Sequence, residues 1–452
     1  MKSFNPATGE MIKEYREYTL EEVDQIIGQV DVEQNKWRTT PFSYRSKLMR
    51  EMAAILRKNS DKYARLMTME MGKIITESKA EIEKCAWVCD YYAGNAETFL
   101  ADENVKTDAG RSFVAFQPLG IVLAVMPWNF PFWQVIRFAV PAIMAGNGGI
   151  LKHASNVSGC ALAIEEVFRE ADFPENLFRT LIISSKPVEG IINDRRIKAV
   201  TLTGSEPAGS AVASAAGRRL KKSVLELGGS DPFIVLEDAD LSSCLKSAVK
   251  ARMICVGQSC IAAKRFIVVK DIADQFEERL ATAMQALKIG DPLSEDTQVG
   301  PLARMDLLEE LDTQVQQSTR LGARLLCGGR KANRSGAFYL PTVLAGVKKG
   351  MPIYEQETFG PVAAVITVKD VEEAIAVAND SEFGLNGSVW TRDLTKGEMV
   401  ARRVETGAMF VNGMAKSDPR LPFGGIKKSG YGRELSQYGI KEFVNIKTVW
   451  IA

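Results

Sequence analysis

The chain carries one histidine, His153, among 452 residues. Catalytic zinc is usually held by histidines, so no metal site is expected. The same scarcity bears on proton transfer, because a glutamate becomes a better candidate than an imidazole beside any thiol. Cysteine is sparse too. The seven thiols, at 85, 89, 160, 244, 255, 260 and 327, form no CxxC pair. That argues against a disulfide framework and for a reducing cytoplasm. There is no long basic run: 57 Lys and Arg stand against 56 Asp and Glu, for a net charge of +1. Nucleic acid and anionic membranes therefore find no handle. The opening residues, MKSFNPATGE, lack an apolar h-region, so no signal peptide is expected. Neither an internal repeat nor a low-complexity linker is present.

One stretch invites a membrane reading. Between Arg111 and Arg137 lie 25 uncharged residues, SFVAFQPLGIVLAVMPWNFPFWQVI, long enough to span a bilayer. Pro118, Pro127, Asn129 and Pro131 interrupt it, and a buried strand followed by a turn explains it better. The remaining bulk numbers, 46% hydrophobic and 25% charged, are those of a soluble globular protein. The length exceeds one ordinary core and predicts two domains with a small added element.

Thr19 and Glu22 form a capping-box pattern, and apolar spacing predicts helices over 20–38, 43–58, 61–71 and 76–100. SFVAFQPLGIVLAVMP reads as extended segments broken by Pro118 and Gly120. Strands and helices then alternate: GGILKH, SGCALAIEEVFREA, FRTLIIS, PVEGIIND, IKAVTLTGS, PAGSAVASAAGRRL and KSVLELGG. A second alternating set starts near Asp231. Alternation with continuous apolar strands predicts an α/β protein with parallel sheets covered on both faces.

Five stretches carry chemistry. In VGQSCIAAKRF, Cys260 is a candidate nucleophile flanked by small residues that let backbone approach a substrate. Read alone, such a cysteine is more often a small buried hydrophobe, as Cys244 and Cys255 look to be. Glu226 ends an apolar strand before two glycines. Burial there raises a carboxyl toward general-base range, although a solvent-facing strand edge is the plain alternative. Asn129, between Pro127 and Pro131, can donate to an oxyanion without bringing charge, or simply satisfy its own turn. TLTGSEPAG runs a strand into Gly204 and Ser205 and a helix start at Pro207, a place for a phosphate. Glu357 precedes Phe-Gly-Pro, and LPFGGIKKSGYGRE reads as a glycine-rich basic loop.

Taken in order, PWNFP, TGSEPAG, ELGG, GQSC, ETFGP and PFGGIKKSGYGRE resemble the motif set of the aldehyde dehydrogenase superfamily, from NPATGE to IKTVWI. GQSCIAAKRF with the glycine-rich C-terminal segment resembles its succinate-semialdehyde dehydrogenase branch, in particular the shorter bacterial members. The resemblance implies a Rossmann-like cofactor domain (1–100 and 119–229) and a second α/β catalytic domain (230–431). A small β oligomerisation element (101–118 and 432–452) completes it, and a homodimer or homotetramer follows. It implies NAD(P)-dependent oxidation of an aldehyde through a thiohemiacetal and thioester on Cys260. Glu226 would be the general base, and Asn129 with the Cys260 N–H would form the oxyanion hole. Cofactor contacts fall to Pro127, Trp128, Lys152, Ser155, Gly204, Ser205, Gly209, Glu357 and Phe359. A short ω-carboxy aldehyde would meet Arg137, Ser259, Ser417 and Arg420.

The sequence departs from the family pattern at several places. Cys255 stands where relatives often have asparagine. Ser259 stands where many have a second cysteine, so a redox switch of that pair is not expected. Ser155 stands where NAD-preferring relatives often carry glutamate, which leaves both NAD and NADP open. An arginine found before the nucleophile loop in some semialdehyde enzymes is Ile254 here, with Arg420 and Ser417 as its possible substitutes. Two variants stay open beside the leading one: a homologue of other or broad aldehyde specificity, and, against the presence of Glu226, an enzyme that passes the thioester to coenzyme A. A non-catalytic homologue is disfavoured by intact Cys260, Glu226 and Asn129.

Overall fold

A computed structural model describes residues 1–452. The first long helix, Leu20–Trp37, shows how local sequence sets structure. Thr19 accepts from the Glu22 N–H at 3.2 Å, and the Glu22 carboxylate accepts from the Thr19 N–H at 2.8 Å. The two bonds satisfy donors that a helix start leaves orphaned. The next helices cover Phe42–Lys58, Ser60–Met71 and Ile75–Phe99, all close to the spans their apolar spacing predicts.

The uncharged run resolves into two strands, Arg111–Pro118 and Ile121–Met126, a turn, and the start of a helix, Trp133–Met144. That helix is an addition to the sequence reading. Every one of its residues is buried, and its first four fall within the uncharged run, which masks its start. No helix is long and apolar enough to cross a membrane. Two further helices, Met305–Arg320 and Leu394–Arg403, also lie outside what the motif order marks.

Two large sheets organise the molecule. In the first, six strands lie in the order Gly430–Tyr431, Lys222–Glu226, Ile197–Thr203, Ile121–Met126, Gly148–His153, Phe178–Thr180. All neighbours are parallel except the short Gly430–Tyr431 strand, which returns antiparallel beside Glu226. The second sheet has seven strands, from Arg324–Cys327 at one edge to Ala408–Val411 at the other. Only its edge pair, Arg324–Cys327 with Thr342–Ala345, is antiparallel. Its central strands, Pro232–Val235 and Arg265–Val269, are buried at every residue. Such runs are what helices on both faces of a parallel sheet require.

A third, antiparallel sheet joins Val444–Ile451 to Arg111–Pro118 along eight paired residues, with Glu103–Asn104 at its edge. Its outer strand leaves Ile446, Trp450 and Ile451 exposed.

Candidate active site

A cleft of 780 Å³ opens between the two large sheets. One wall is built from the carboxyl ends of parallel strands, where open α/β sheets place their ligands. Those ends supply Met126–Asn129, Lys152, Leu202–Ala208 and Glu226–Gly228. The facing wall carries Cys260, Glu357 and Phe359. Residues far apart in the chain are thus brought into one space.

Cys260 is partly exposed to the cleft, while the other six cysteines are buried. The loop that presents it is strained. Cys255 (φ 51°), Val256 (φ 55°) and Gly257 (φ 75°) are consecutive left-handed residues. A β-branched residue in that region is a genuine outlier, and such positions cost about 1–3 kcal/mol each. At Gly257 a Cβ would also lie 2.1 Å from the Gly360 carbonyl oxygen, so the close approach admits only glycine.

The surroundings hold this strain in place. The Cys255 N–H donates to the half-buried Glu77 carboxylate at 3.0 Å, and its thiol to the Asn129 carbonyl at 3.3 Å. Arg252 donates to the Gly257 carbonyl at 2.7 Å. The buried Lys264 then closes the far side, donating to the carbonyls of Ser259 at 2.9 Å and Cys260 at 2.7 Å. Its ammonium also pairs with Glu357 at 3.2 Å.

Burial pushes the Cys260 thiol up to about 12, while Lys264 and Arg137 pull it down. The resting group is therefore a thiol, and a base must remove its proton for reaction. Asn129 is buried, with its amide carbonyl fixed by the Gln134 amide at 3.0 Å. Its Nδ2 donates to the Gln258 carbonyl at 2.9 Å. An amide nitrogen carries two hydrogens, so one remains for the cleft that Asn129 lines.

Glu226 is 2% exposed at the end of its strand, and neither carboxylate oxygen has a protein partner. It is therefore not the solvent-facing edge residue that the sequence left as the alternative. Burial, with Glu434 beside it, holds this carboxyl well above the usual range, and Arg137 works the other way. Gly424 (φ 150°) makes the room, because a Cβ there would lie 2.7 Å from Glu226 Oε1. An unpaired buried carboxyl that reaches a cleft is suited to taking a proton from a water.

The four residues expected to meet substrate divide. Arg137 is 3% exposed, ion-paired to the equally buried Glu434, and stacked over Phe423 at 4.6 Å. Its charge is already matched, so it does not present a free guanidinium to the cleft. Ser259 is buried with an unpaired hydroxyl and does not line the cleft. Ser417 is buried and accepts from Lys84 at 2.6 Å. Arg420 turns outward, clamped by Asp418 at 2.7 and 2.9 Å, its side chain 66% exposed. Glu434, Gln134, Lys264 and Glu77 are additions that only the three-dimensional arrangement identifies.

Most of the expected cofactor residues share the cleft. Pro127, Trp128, Lys152, Gly204, Ser205, Glu357 and Phe359 all line it. Trp128 and Phe359 meet edge to face at 5.8 Å. Ser155 lies just beyond the rim, exposed at the start of a short 3-10 turn. Gly209 differs from expectation. It packs its helix against Leu227, where a Cβ would lie 2.6 Å from Leu227 Cδ2, and it is absent from the lining. The helix Glu206–Gly217 starts in the cleft with Ser205 as its N-cap, whose side chain makes no capping bond. Lys152, desolvated there and depressed by that burial alone, makes no ion pair. Free helix N–H groups beside an unmatched lysine fit the phosphates of a dinucleotide.

The comparisons with known proteins agree with this geometry. The profile of the aldehyde dehydrogenase family matches residues 1–449. The probable NADP+ succinate-semialdehyde dehydrogenase of Synechocystis sp. is 55% identical over 450 residues, covering 100% of this chain and 99% of its own. NADP+ succinate-semialdehyde dehydrogenase 1 of Mycobacterium tuberculosis is 49% identical over 453 residues, again covering 100% and 99%. The crystal structure of succinic semialdehyde dehydrogenase from Streptococcus pyogenes, in complex with NADP+, superposes with a TM-score of 0.98. It is 39% identical and covers 100% of this chain and 99% of its own.

Proposed function

The chain belongs to the aldehyde dehydrogenase family, and from that membership we propose that it oxidises succinate semialdehyde, or a similar short ω-carboxy aldehyde, to the acid with NADP or NAD. The observation that carries this reading is the meeting of Cys260, Asn129 and Glu226 on one cleft that also holds Lys152 and a helix start. Relatives about half identical over their full length act on that aldehyde by name and use NADP+.

The residues divide the work. Cys260 gives its thiol proton to water in the cleft, its sulfur attacks the aldehyde carbon, and the carbonyl oxygen gains the charge. The free Asn129 N–H and the Cys260 backbone N–H receive that oxyanion, each contributing about 3 kcal/mol. A nicotinamide dinucleotide, if bound in the cleft, would supply the hydride acceptor that the oxidation of a thiohemiacetal to a thioester needs. Lys152, the helix start at Ser205, Glu357 and Phe359 would hold it. Glu226 removes a proton from water, which adds to the thioester carbon and releases the acid and the thiol.

Passing the thioester to coenzyme A would make no use of a buried base at position 226, so hydrolysis is the better-supported outcome. Residues 1–100 and 119–229 are proposed to serve the dinucleotide and 230–431 to carry the nucleophile. The segments 101–118 and 432–452 then form the contact of a cytoplasmic homodimer or homotetramer, supported by the exposed Ile446 and Trp450 of the outer strand. The test is a steady-state panel of succinate semialdehyde, butanal and glutaraldehyde with each dinucleotide, without coenzyme A. Selective turnover of succinate semialdehyde is expected. Turnover that requires coenzyme A, or equal turnover of all three, overturns the reading.

A further inference from the structure

Every polar group of Cys255 is engaged. Its N–H donates to both oxygens of the Glu77 carboxylate, at 3.0 and 3.2 Å. Its thiol donates to the Asn129 carbonyl at 3.3 Å. Its own carbonyl accepts from the Gln258 N–H at 2.9 Å and from the Gln258 side-chain amide at 3.3 Å. Gln258 in turn accepts from Asn129 Nδ2 on its backbone carbonyl, at 2.9 Å. A closed circuit therefore runs from Asn129 through Cys255 and Gln258 back to Asn129. Cys260 lies two residues beyond Gln258, so the oxyanion donor and the nucleophile hang on the same circuit, across the two walls of the cleft.

Glu77 ties that circuit to a distant element. It stands in the first turn of the helix Ile75–Phe99, 178 residues before Cys255. The turn it holds has a reason to relax. The helix Leu241–Met253 ends just before it, and both Cys255 (φ 51°, ψ 41°) and Val256 (φ 55°, ψ 35°) are left-handed, a strained region for a β-branched side chain. Rotating the peptide between Ile254 and Cys255 would take Cys255 out of that region. It would also turn the N–H away from Glu77, and Cys255 is fully buried, so no water would replace the carboxylate. Satisfying a buried N–H is worth about as much as the strain of such a turn.

We propose that Glu77 is a positioning residue of the reaction: through Cys255 it fixes the turn that holds the Cys260 nucleophile against the Asn129 oxyanion donor. The proposal rests on the reaction proposed above. Cys255, which by sequence looks like a small buried hydrophobe, is the second member, and its thiol works as a hydrogen donor rather than as a nucleophile. Neither residue lines the cleft, so both act on the chemistry through the turn alone.

The experiment measures a single turnover, with enzyme in excess over aldehyde, and the dinucleotide dissociation constant by fluorescence titration. In Glu77→Ala the single-turnover rate should fall about thirtyfold to a hundredfold, because a small misplacement of reacting atoms costs that much. The dissociation constant should stay within about twofold. Glu77→Gln, whose amide oxygen still accepts the Cys255 N–H, should remain within about fivefold of the wild type. Glu77→Asp keeps the charge on a shorter stem and should be slowed about tenfold. Cys255→Ala should be several-fold slow, and Cys255→Ser, which restores a donor, should recover most of that loss. Glu77→Ala/Cys255→Ala should be little slower than Glu77→Ala, since both act through one turn. A Glu77→Ala rate within about threefold of the wild type overturns the proposal. So does an equal loss in Glu77→Gln, or a slower turnover matched by equally weakened dinucleotide binding. If Glu77→Ala does not fold, Glu77→Asp decides, and a wild-type rate there overturns the proposal. A wild type that reduces no dinucleotide with any aldehyde overturns the reaction itself, which is a separate failure.

Discussion

The ammonium of Lys264 lies 2.7 Å from the carbonyl oxygen of Cys260, the residue whose thiol opens to the cleft. The lysine holds the backbone of the nucleophile from behind and places a positive charge near its sulfur. It also restrains Glu357, which accepts the Gly229 N–H at 3.0 Å.

Replacing that lysine tests the link. Lys264→Met leaves the Cys260 carbonyl without its hydrogen-bond partner and the Ser259 carbonyl with only the Ala262 N–H, and removes the largest charge that lowers the thiol. Alkylation of Cys260 by iodoacetamide at fixed pH should slow about tenfold, and kcat should fall at least as far. An unchanged alkylation rate with lowered thermal stability would show a purely structural lysine.

Glu226→Gln separates the two halves of the reaction. Without a base for water, the thioester should accumulate. A first turnover of reduced dinucleotide, close to one equivalent per chain, should be followed by steady turnover slowed about a hundredfold or more. The sign of the pH effect follows from the raised carboxyl. Glu226 must be ionised to act, and burial delays its ionisation to higher pH. Deacylation of the wild type should therefore rise with pH well above the ordinary carboxylate range, and the variant should lose that rise. Mass spectrometry showing no acyl adduct in Glu226→Gln would remove Glu226 from the hydrolytic step.

The single histidine offers a signal that needs no assignment. His153 is buried, its Nε2 2.9 Å from the Pro131 carbonyl and its Nδ1 accepting from the Ala154 N–H at 2.9 Å. Nδ1 also lies 3.2 Å from the Met126 carbonyl, so both ring nitrogens face a carbonyl that favours the charged ring, and burial outweighs them. Burial pushes its pKa from the ordinary 6.5 down to about 4. The unfolded chain thus binds a proton that the folded chain refuses between these values. The stability this group contributes is present above about 6.5 and lost as pH falls toward 4, by about 3 kcal/mol in all. The one imidazole resonance should titrate near pH 4 in the folded protein. A midpoint near 6.5 would contradict the buried neutral ring.

The contrast between Cys260 and Glu77 explains what the sequence makes legible. Cys260, Asn129 and Glu226 stand at turns and strand ends, among glycines and prolines, where a polar residue is conspicuous in apolar surroundings. Glu77 sits in ITESKAE, within a helix whose charges look like a solvated face. Nothing local separates it from Glu83, an exposed neighbour that pairs with Arg57. The Arg137–Glu434 pair is equally invisible, because its members come from opposite ends of the chain. Gly209 errs in the other direction: a glycine near a helix start suggests a ligand, while here it serves packing against Leu227. The sheets are readable because a parallel strand buried on both faces is a continuous apolar run, whereas the helix Trp133–Met144, buried at every residue, begins inside the longest such run and is masked by it.

That hidden helix supplies the last test. Glu81 caps its start through the N–H groups of Phe132 and Trp133, and Lys73 neutralises the same carboxylate from below, with its ammonium 3.7 Å from the centre of the Phe130 ring. The pair is almost fully buried, so losing one partner strands a charge in apolar surroundings. Such a loss costs about 3–5 kcal/mol. Lys73→Met should be destabilised by that order, because Glu81 then keeps only the helix amides. In Lys73→Met/Glu81→Gln the amide oxygen can still accept from the helix start, and no buried charge remains. The double variant should therefore recover at least half of the stability lost in Lys73→Met, measured by urea unfolding. Because this helix start carries Trp133 and follows directly on the turn of Asn129, turnover should recover with stability. A double variant less stable than Lys73→Met would show that the cap requires the ionised carboxylate rather than an oxygen acceptor alone.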